Sequence, residues 1–204
     1  DLGLEQMQFA TDKPKVNLRE AFKGTDVFLG LSAGNIVDGA MLKSMNESPI
    51  VFAMANPTPE IDYHTAMASR EDIIMATGRS DHPNQVNNVL GFPFIFRGAM
   101  DVRATKINEE MKLAATYAIA QLAKEPVPEQ VNIAYGELKL AFGKDYIIPK
   151  PFDPRLISTI PPAVARAAME SGVAKEPITD WEKYEEQLLS RMGSDNKLVR
   201  LLLN

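Results

Sequence analysis

Two asparagines, Asn56 and Asn88, are the residues of this chain best placed to act on a small molecule. A side-chain amide carries both a donor and an acceptor, so it can bind a carboxamide, or a carboxylate together with a hydroxyl. Asn56 precedes Pro57, which biases it toward extended geometry and holds its amide at the end of an apolar run. Asn88 follows Asn87 in the stretch Gly78–Met111, GRSDHPNQVNNVLGFPFIFRGAMDVRATKINEEM, where a polar, amide-rich loop meets a strongly apolar segment. Plainer roles compete on equal terms: Asn56 starting a turn, and Asn87 or Asn88 capping the helix that follows. One of that pair capping while the other binds ligand is a third outcome.

Other groups offer weaker chemistry. Gly30-Leu31-Ser32-Ala33-Gly34 spells G-x-S-x-G, the nucleophile elbow of α/β-hydrolases. A hydrolase also needs a histidine after its acid, and His64 and His82 both lie within about one βαβ unit of Ser32. Glu71-Asp72 is an acidic pair on the polar approach to a strand and reads as solvated charge. His82, beside Asp81, is expected on an exposed loop. Arg79, Arg97 and Arg103 are expected as surface or helix-packing charges, and Lys150 and Arg155 as structural or intersubunit ones. No His/Asp/Glu cluster has metal-ligand spacing.

These groups must be positioned by alternating strands and helices. Val27–Leu31, Ile50–Ala55 and Ile73–Thr77 are short, almost wholly apolar runs, the pattern of strands covered on both faces. Helices fit between them, near 37–45 and 62–70, giving βαβαβ and a parallel sheet. Ligands bind such sheets outside the carboxyl ends of the strands, where Ser32–Asn35, Asn56-Pro57 and Gly78–Ser80 follow. Beyond residue 88 the pattern turns helical. Pro93 opens one helix, Ile107, Met111, Ala115 and Leu122 stripe a second, and 127–135 forms a shorter one. Tyr146–Pro154 is extended, Pro161 or Pro162 starts the next helix and Gly172 ends it. Thr179 with Glu182 makes a capping box for the last, with Trp181, Tyr184 and Leu188 inward, and the tail after Gly193 frays or continues into another domain. The ten methionines read as core filler.

Composition narrows the classes. With 204 residues and 45% hydrophobic content the chain can bury one good core with an added helical subdomain. A net charge of −5 disfavours nucleic acid. The chain has no cysteine, hence no disulfide or thiolate site, and no apolar run near the roughly 18–20 residues that span a bilayer. The expected setting is cytoplasmic, away from membranes. The first residue is Asp1, not Met, as in a fragment or processed piece.

Four segments in order carry a family resemblance: DVFLGLSAG (Asp26–Gly34), PIVFAMANPTPEI (Pro49–Ile61), the Gly78–Met111 stretch, and YIIPKPFDPRL (Tyr146–Leu156). Together they resemble the bacterial malic enzymes over nearly the whole chain. The resemblance implies an α/β fold: an incomplete Rossmann-like parallel sheet, the second half of an NAD(P)-binding domain over 1–105, then a C-terminal helical region over 106–204. It implies oxidative decarboxylation of L-malate to pyruvate and CO2 with NAD or NADP and a Mg2+ or Mn2+ ion. Asn56 and Asn88 match the family's contacts to malate and nicotinamide; Leu31, Ser32, Ala33 and Gly78 match turns beside the cofactor. The family's acid/base pair and metal ligands lie earlier than this region, so no catalytic or metal-binding residue is expected in the chain. G-x-G occurs nowhere in it, so the pyrophosphate turn is expected upstream as well.

Consequences follow. The chain alone is expected to lack turnover, to expose a sheet edge where two strands are missing, and to pair with its N-terminal half or a second copy. The alternatives are a non-catalytic dinucleotide-binding or assembly module, and, more remotely, a hydrolase using Ser32. Restored activity with the N-terminal half singles out the enzyme, and a Ser32→Ala-sensitive esterase activity the hydrolase.

Overall fold

A computed structural model describes residue 3, residues 7–12, residue 14 and residues 17–202, with backbone alone from 192 onward; Asp1 lies outside the described residues. The first half builds a three-stranded parallel sheet in the order β1 (Val27–Gly30), β2 (Ile50–Ala53), β3 (Ile74–Thr77). Helix α1 (Leu18–Phe22) leads into β1, α2 (Gly39–Lys43) links β1 to β2, and α3 (Tyr63–Ser69) links β2 to β3. Each linking helix starts on an aspartate: Asp38 accepts from the Met41 amide and Asp62 from the Thr65 amide, both at 2.9 Å.

The register pairs Val27 with Ile50 and Ile50 with Ile74, so Gly30, Ala53 and Thr77 end the three strands side by side. The turns that follow therefore leave the sheet along one edge. The sheet's core contains Phe22, Leu42, Val51, Ala53, Ala66, Ile73 and Met75.

The second half is helical: α4 (Phe92–Asp101), α5 (Glu109–Lys124), α6 (Glu129–Tyr135), α7 (Leu156–Glu170) and α8 (Trp181–Leu202). A one-turn 3-10 helix, Asn88–Leu90, precedes α4. Pro93 occupies the first turn of α4, and Asn108 caps α5 by accepting from the Met111 amide at 3.0 Å. A separate core forms here from Leu90, Val102, Met111, Ala115, Leu122, Leu156, Ile160 and Val164. Methionines 41, 45, 75 and 111 are buried as filler, whereas Met100 is exposed. The 146–154 segment has no regular element and is anchored by Arg155, which ion-pairs with the fully buried Asp153 at 2.6 Å.

Four expectations need correction. β1 is not covered on both faces: Phe28 packs inward against Phe22, while Val27 and Leu29 on the opposite face are exposed, as is Leu31 just past the strand end. Neither Pro161 nor Pro162 starts a helix; both lie inside α7, which begins at Leu156. Local preference loses there to packing, since both prolines are buried and Gly98 of α4 sits against the Pro161 backbone. The last helix is capped by Asp180, which accepts from the Lys183 amide at 3.0 Å, in place of the expected Thr179–Glu182 box; its backbone stays helical past Gly193 to Leu202. Glu71 and Asp72 are exposed, as expected of solvated charge, and Asp72 in addition takes up Arg70 with both oxygens and the Ser48 amide with one. His82 is not an exposed loop histidine; its side chain is 9% exposed and stacks on Tyr63 with ring centres 4.4 Å apart.

Candidate functional site

The three turns that leave the strand ends enclose a cavity of about 590 Å3. Leu31 reaches it from the β1 turn, Asn56 from the β2 turn, and Gly78 with Arg79 from the β3 turn; Asn87 and Asn88 close it from the start of the helical half. The structure thus brings together Leu31, Asn56, Gly78 and Asn88. Ser32 and Ala33 stand beside Leu31 on the same turn but outside the cavity lining.

The two amides of the Asn87-Asn88 pair divide their work. Asn87 accepts from the Val89 amide at 3.0 Å and so caps the 3-10 turn. Asn88 contributes only its backbone carbonyl, to the Gly91 amide, and its side chain bonds no other described group. The Asn56 side chain is likewise without a protein partner among the described residues, and the Asn56–Pro57 peptide is cis. Both amides are exposed to the cavity mouth with donor and acceptor unused.

Gly78 has open space beside it: an added Cβ would meet only the Val86 carbonyl, at 3.9 Å. Packing within the chain therefore does not demand glycine there. Arg79 is the one charged residue lining the cavity among the described residues. It holds Asp81 in a two-pronged pair, Nε to Oδ1 at 2.9 Å and Nη2 to Oδ2 at 2.7 Å, and that pair keeps the Asp81 carboxyl down at about 2.

A residue the sequence reading missed sits beneath the turns. Glu60 is fully buried; its Oε1 accepts from the Ser32 amide and its Oε2 from the Ala55 amide, each at 3.0 Å. Gly30 makes room for it, since a Cβ there would lie 2.4 Å from the Glu60 Cδ. The flanking Pro59 and Ile61, apolar on both sides of a lone glutamate, were the available signal.

The remaining candidates do other work. Arg97 pairs with Asp101, which also accepts from the Tyr184 hydroxyl at 2.7 Å; Arg103 pairs with Glu176. Lys150 lies 5.1 Å from the Tyr135 ring centre. The Ser32 hydroxyl has no histidine partner among the described residues, while His64 and His82 pack against Tyr63. The nucleophile–base contact that defines a hydrolase site is thus missing there. Among the described residues no three His, Asp or Glu side chains gather to hold a metal, and no helix is long and apolar enough to cross a membrane.

Comparison with known proteins shows the family to which the chain belongs. The family described as malic enzyme, NAD binding domain, matches residues 5–139. An NADP-dependent malic enzyme of Rhizobium meliloti is 58% identical over 182 residues, 89% of this chain and 24% of that protein. An NAD-dependent malic enzyme of the same organism is 52% identical over 180 residues, 88% of this chain and 23% of that protein. The crystal structure of Entamoeba histolytica malic enzyme superposes with a TM-score of 0.77 at 34% identity, covering 92% of this chain and 36% of that one. The chain spans about a quarter of the length of these curated relatives. With its strand-end cavity and a match that runs through all three strands, this chain belongs to the malic enzyme family.

Proposed function

We propose that this chain forms the nicotinamide-side part of an enzyme that oxidatively decarboxylates L-malate to pyruvate and CO2, with NAD or NADP as hydride acceptor. The observation that carries the reading is the convergence of two unpaired amides, Asn56 and Asn88, on one cavity at the carboxyl ends of a parallel sheet. Their N–H groups are suited to donate to a malate carboxylate, and their oxygens to accept from the carboxamide of the nicotinamide ring. Leu31, Ser32 and Ala33 are assigned to the turn passing beside the cofactor, and Gly78 to the ribose side, where its open flank admits a ligand at close range. The cofactor supplies the hydride acceptor, and this chain's residues fix its orientation.

The acid/base groups and the ligands of a Mg2+ or Mn2+ ion are assigned, by family resemblance, to a part of the enzyme N-terminal to this segment. That part, and a second copy of the enzyme, are the proposed partners; the exposed apolar Val27 and Leu29 on edge strand β1 support such covering. A cytoplasmic setting belongs to the same proposal. The test is Asn88→Ala in the whole enzyme. Loss of a hydrogen bond to a charged group costs roughly 1.5–3 kcal/mol, or about 10- to 150-fold in kcat/KM for malate. An unchanged kinetic profile removes Asn88 from the site.

A further inference from the structure

We infer that Glu60 is the positioning residue of this crevice: one buried carboxylate sets the distance between the turns after β1 and β2, and so the approach of Leu31 and Asn56 to the cofactor. The inference rests on the proposed function for its ligand and on the structure for its geometry.

Glu60 reaches both turns at once. Its two carboxylate oxygens bind the Ser32 and Ala55 amides, each at 3.0 Å, and its own carbonyl accepts from the Val37 amide at 3.0 Å. The Pro59 carbonyl accepts from the Asn35 amide, also at 3.0 Å, so the 59–60 segment fastens the β1 turn at three points. Ser32 is the next residue after Leu31, and Ala55 the one before Asn56; Leu31, Ala55 and Asn56 all line the cavity.

The chemistry of the side chain is dictated by what it meets. Two backbone N–H groups from different turns need an acceptor at each end of one planar group. A carboxylate provides that; a glutamine of the same size offers one acceptor and turns a donor toward the other amide. No lysine, arginine or histidine pairs with Glu60 among the described residues. Burying a carboxylate without a cationic partner is costly even when its oxygens are hydrogen-bonded, and packing alone would be better served by an apolar side chain. Gly30 concedes its own Cβ to the same carboxylate. The arrangement is explained if the spacing of the turns matters more than the stability it costs.

The test uses the whole enzyme with Glu60→Gln, and reduced cofactor against ADP-ribose, which lacks the nicotinamide. Positioning predicts that the dissociation constant for reduced cofactor, read by fluorescence titration, rises at least tenfold. Affinity for ADP-ribose stays within twofold and the circular dichroism spectrum is unchanged. Parallel weakening of both ligands, or of neither, overturns the inference. Should the variant not fold, hydrogen exchange on the wild-type enzyme decides: the Ser32 amide, in an exposed turn, is expected to be protected while that of Ala33 exchanges freely. Equal exchange overturns the inference. Failure of the wild-type enzyme to bind reduced cofactor would instead count against the proposed function, and the exchange result would still report on Glu60.

Discussion

The Asn84 carboxamide and the Ile147 backbone are joined across the two halves of the chain: Asn84 Oδ1 accepts from the Ile147 amide at 2.9 Å. Its Nδ2 donates in the other direction, to the Met75 carbonyl of β3 at 2.9 Å and the Lys144 carbonyl at 2.6 Å. Asn84 is 3% exposed and holds a left-handed backbone, φ 54°, which asparagine tolerates better than most residues. One side chain thus pins the loop between Gly78 and Asn88 to the sheet on one side and to the segment before α7 on the other.

Asn84→Ala should therefore destabilise the fold by about 2–3 kcal/mol, since it strands buried backbone groups and removes the residue suited to that φ. Urea denaturation checks this through the midpoint at constant slope. A midpoint unchanged within error would show that solvent replaces all three bonds.

The two cavity amides should act together. Asn56→Ala and Asn88→Ala are expected to weaken malate turnover individually, and the double variant to fall short of their sum by at least about 0.5 kcal/mol. Steady-state kinetics on the four enzymes of the cycle read the coupling directly. Strict additivity would place the two side chains on separate ligands.

Much of this arrangement is legible in the sequence because local rules and the fold agree. Asn56 stands where an apolar run stops and a proline follows, and Asn88 where a polar loop meets Pro93 at a helix start, so both positions follow from short-range geometry. Glu60 is legible only through its apolar neighbours Pro59 and Ile61, not through short-range geometry. A glutamate after Pro-Thr-Pro is ordinarily solvated, and only the tertiary approach of Gly30 and two distant amides makes it a buried joint. Pro161 and Pro162 mislead for the opposite reason: their local preference is strong, but the buried face of α7 overrides it. Thr179 and Asp180 are both competent caps one residue apart, and the helix begins at Trp181, which puts Asp180 in the capping position.

Stability should show an acid-sensitive component from Asp72. The Arg70 guanidinium, bonded to it at 2.7 Å through both Nε and Nη2, and then the Ser48 amide hold its carboxyl well below the usual carboxylate range. A carboxyl depressed in the folded state stabilises above its unfolded value of about 4, and that contribution is lost as pH falls through the depressed value. Arg70 also donates to the Leu42 and Asn46 carbonyls at the end of α2, so the pair ties α2 to the approach of β3. Asp72→Asn should lower Tm at pH 7, and its gap to wild type should narrow steadily below about pH 4. A gap constant down to pH 2 would mean the charge on Asp72 contributes nothing.

Gly98 is expected to be the least replaceable residue of the helical half. A Cβ there would stand 2.5 Å from the Pro161 carbonyl oxygen, 3.1 Å from the Pro161 Cα and 2.9 Å from the Val164 Cβ. Two of these three atoms are backbone, in a helix whose Pro161 and Pro162 sit in the packed face, so no side chain can swing aside to make room. Gly98→Ala must then push α4 and α7 apart. Alanine's better helix propensity returns up to about 1 kcal/mol, while overpacking costs typically about 1–3 kcal/mol, so a net loss is expected. The displacement should also reach the crevice, because Leu90, just before α4, is buried in the same core as Val164 while Asn88 of the same 3-10 turn lines the cavity. Gly98→Ala in the whole enzyme should therefore lower Tm and raise KM for malate together. A stability loss with unchanged KM would show that the 3-10 turn carrying Asn88 is held independently of α4.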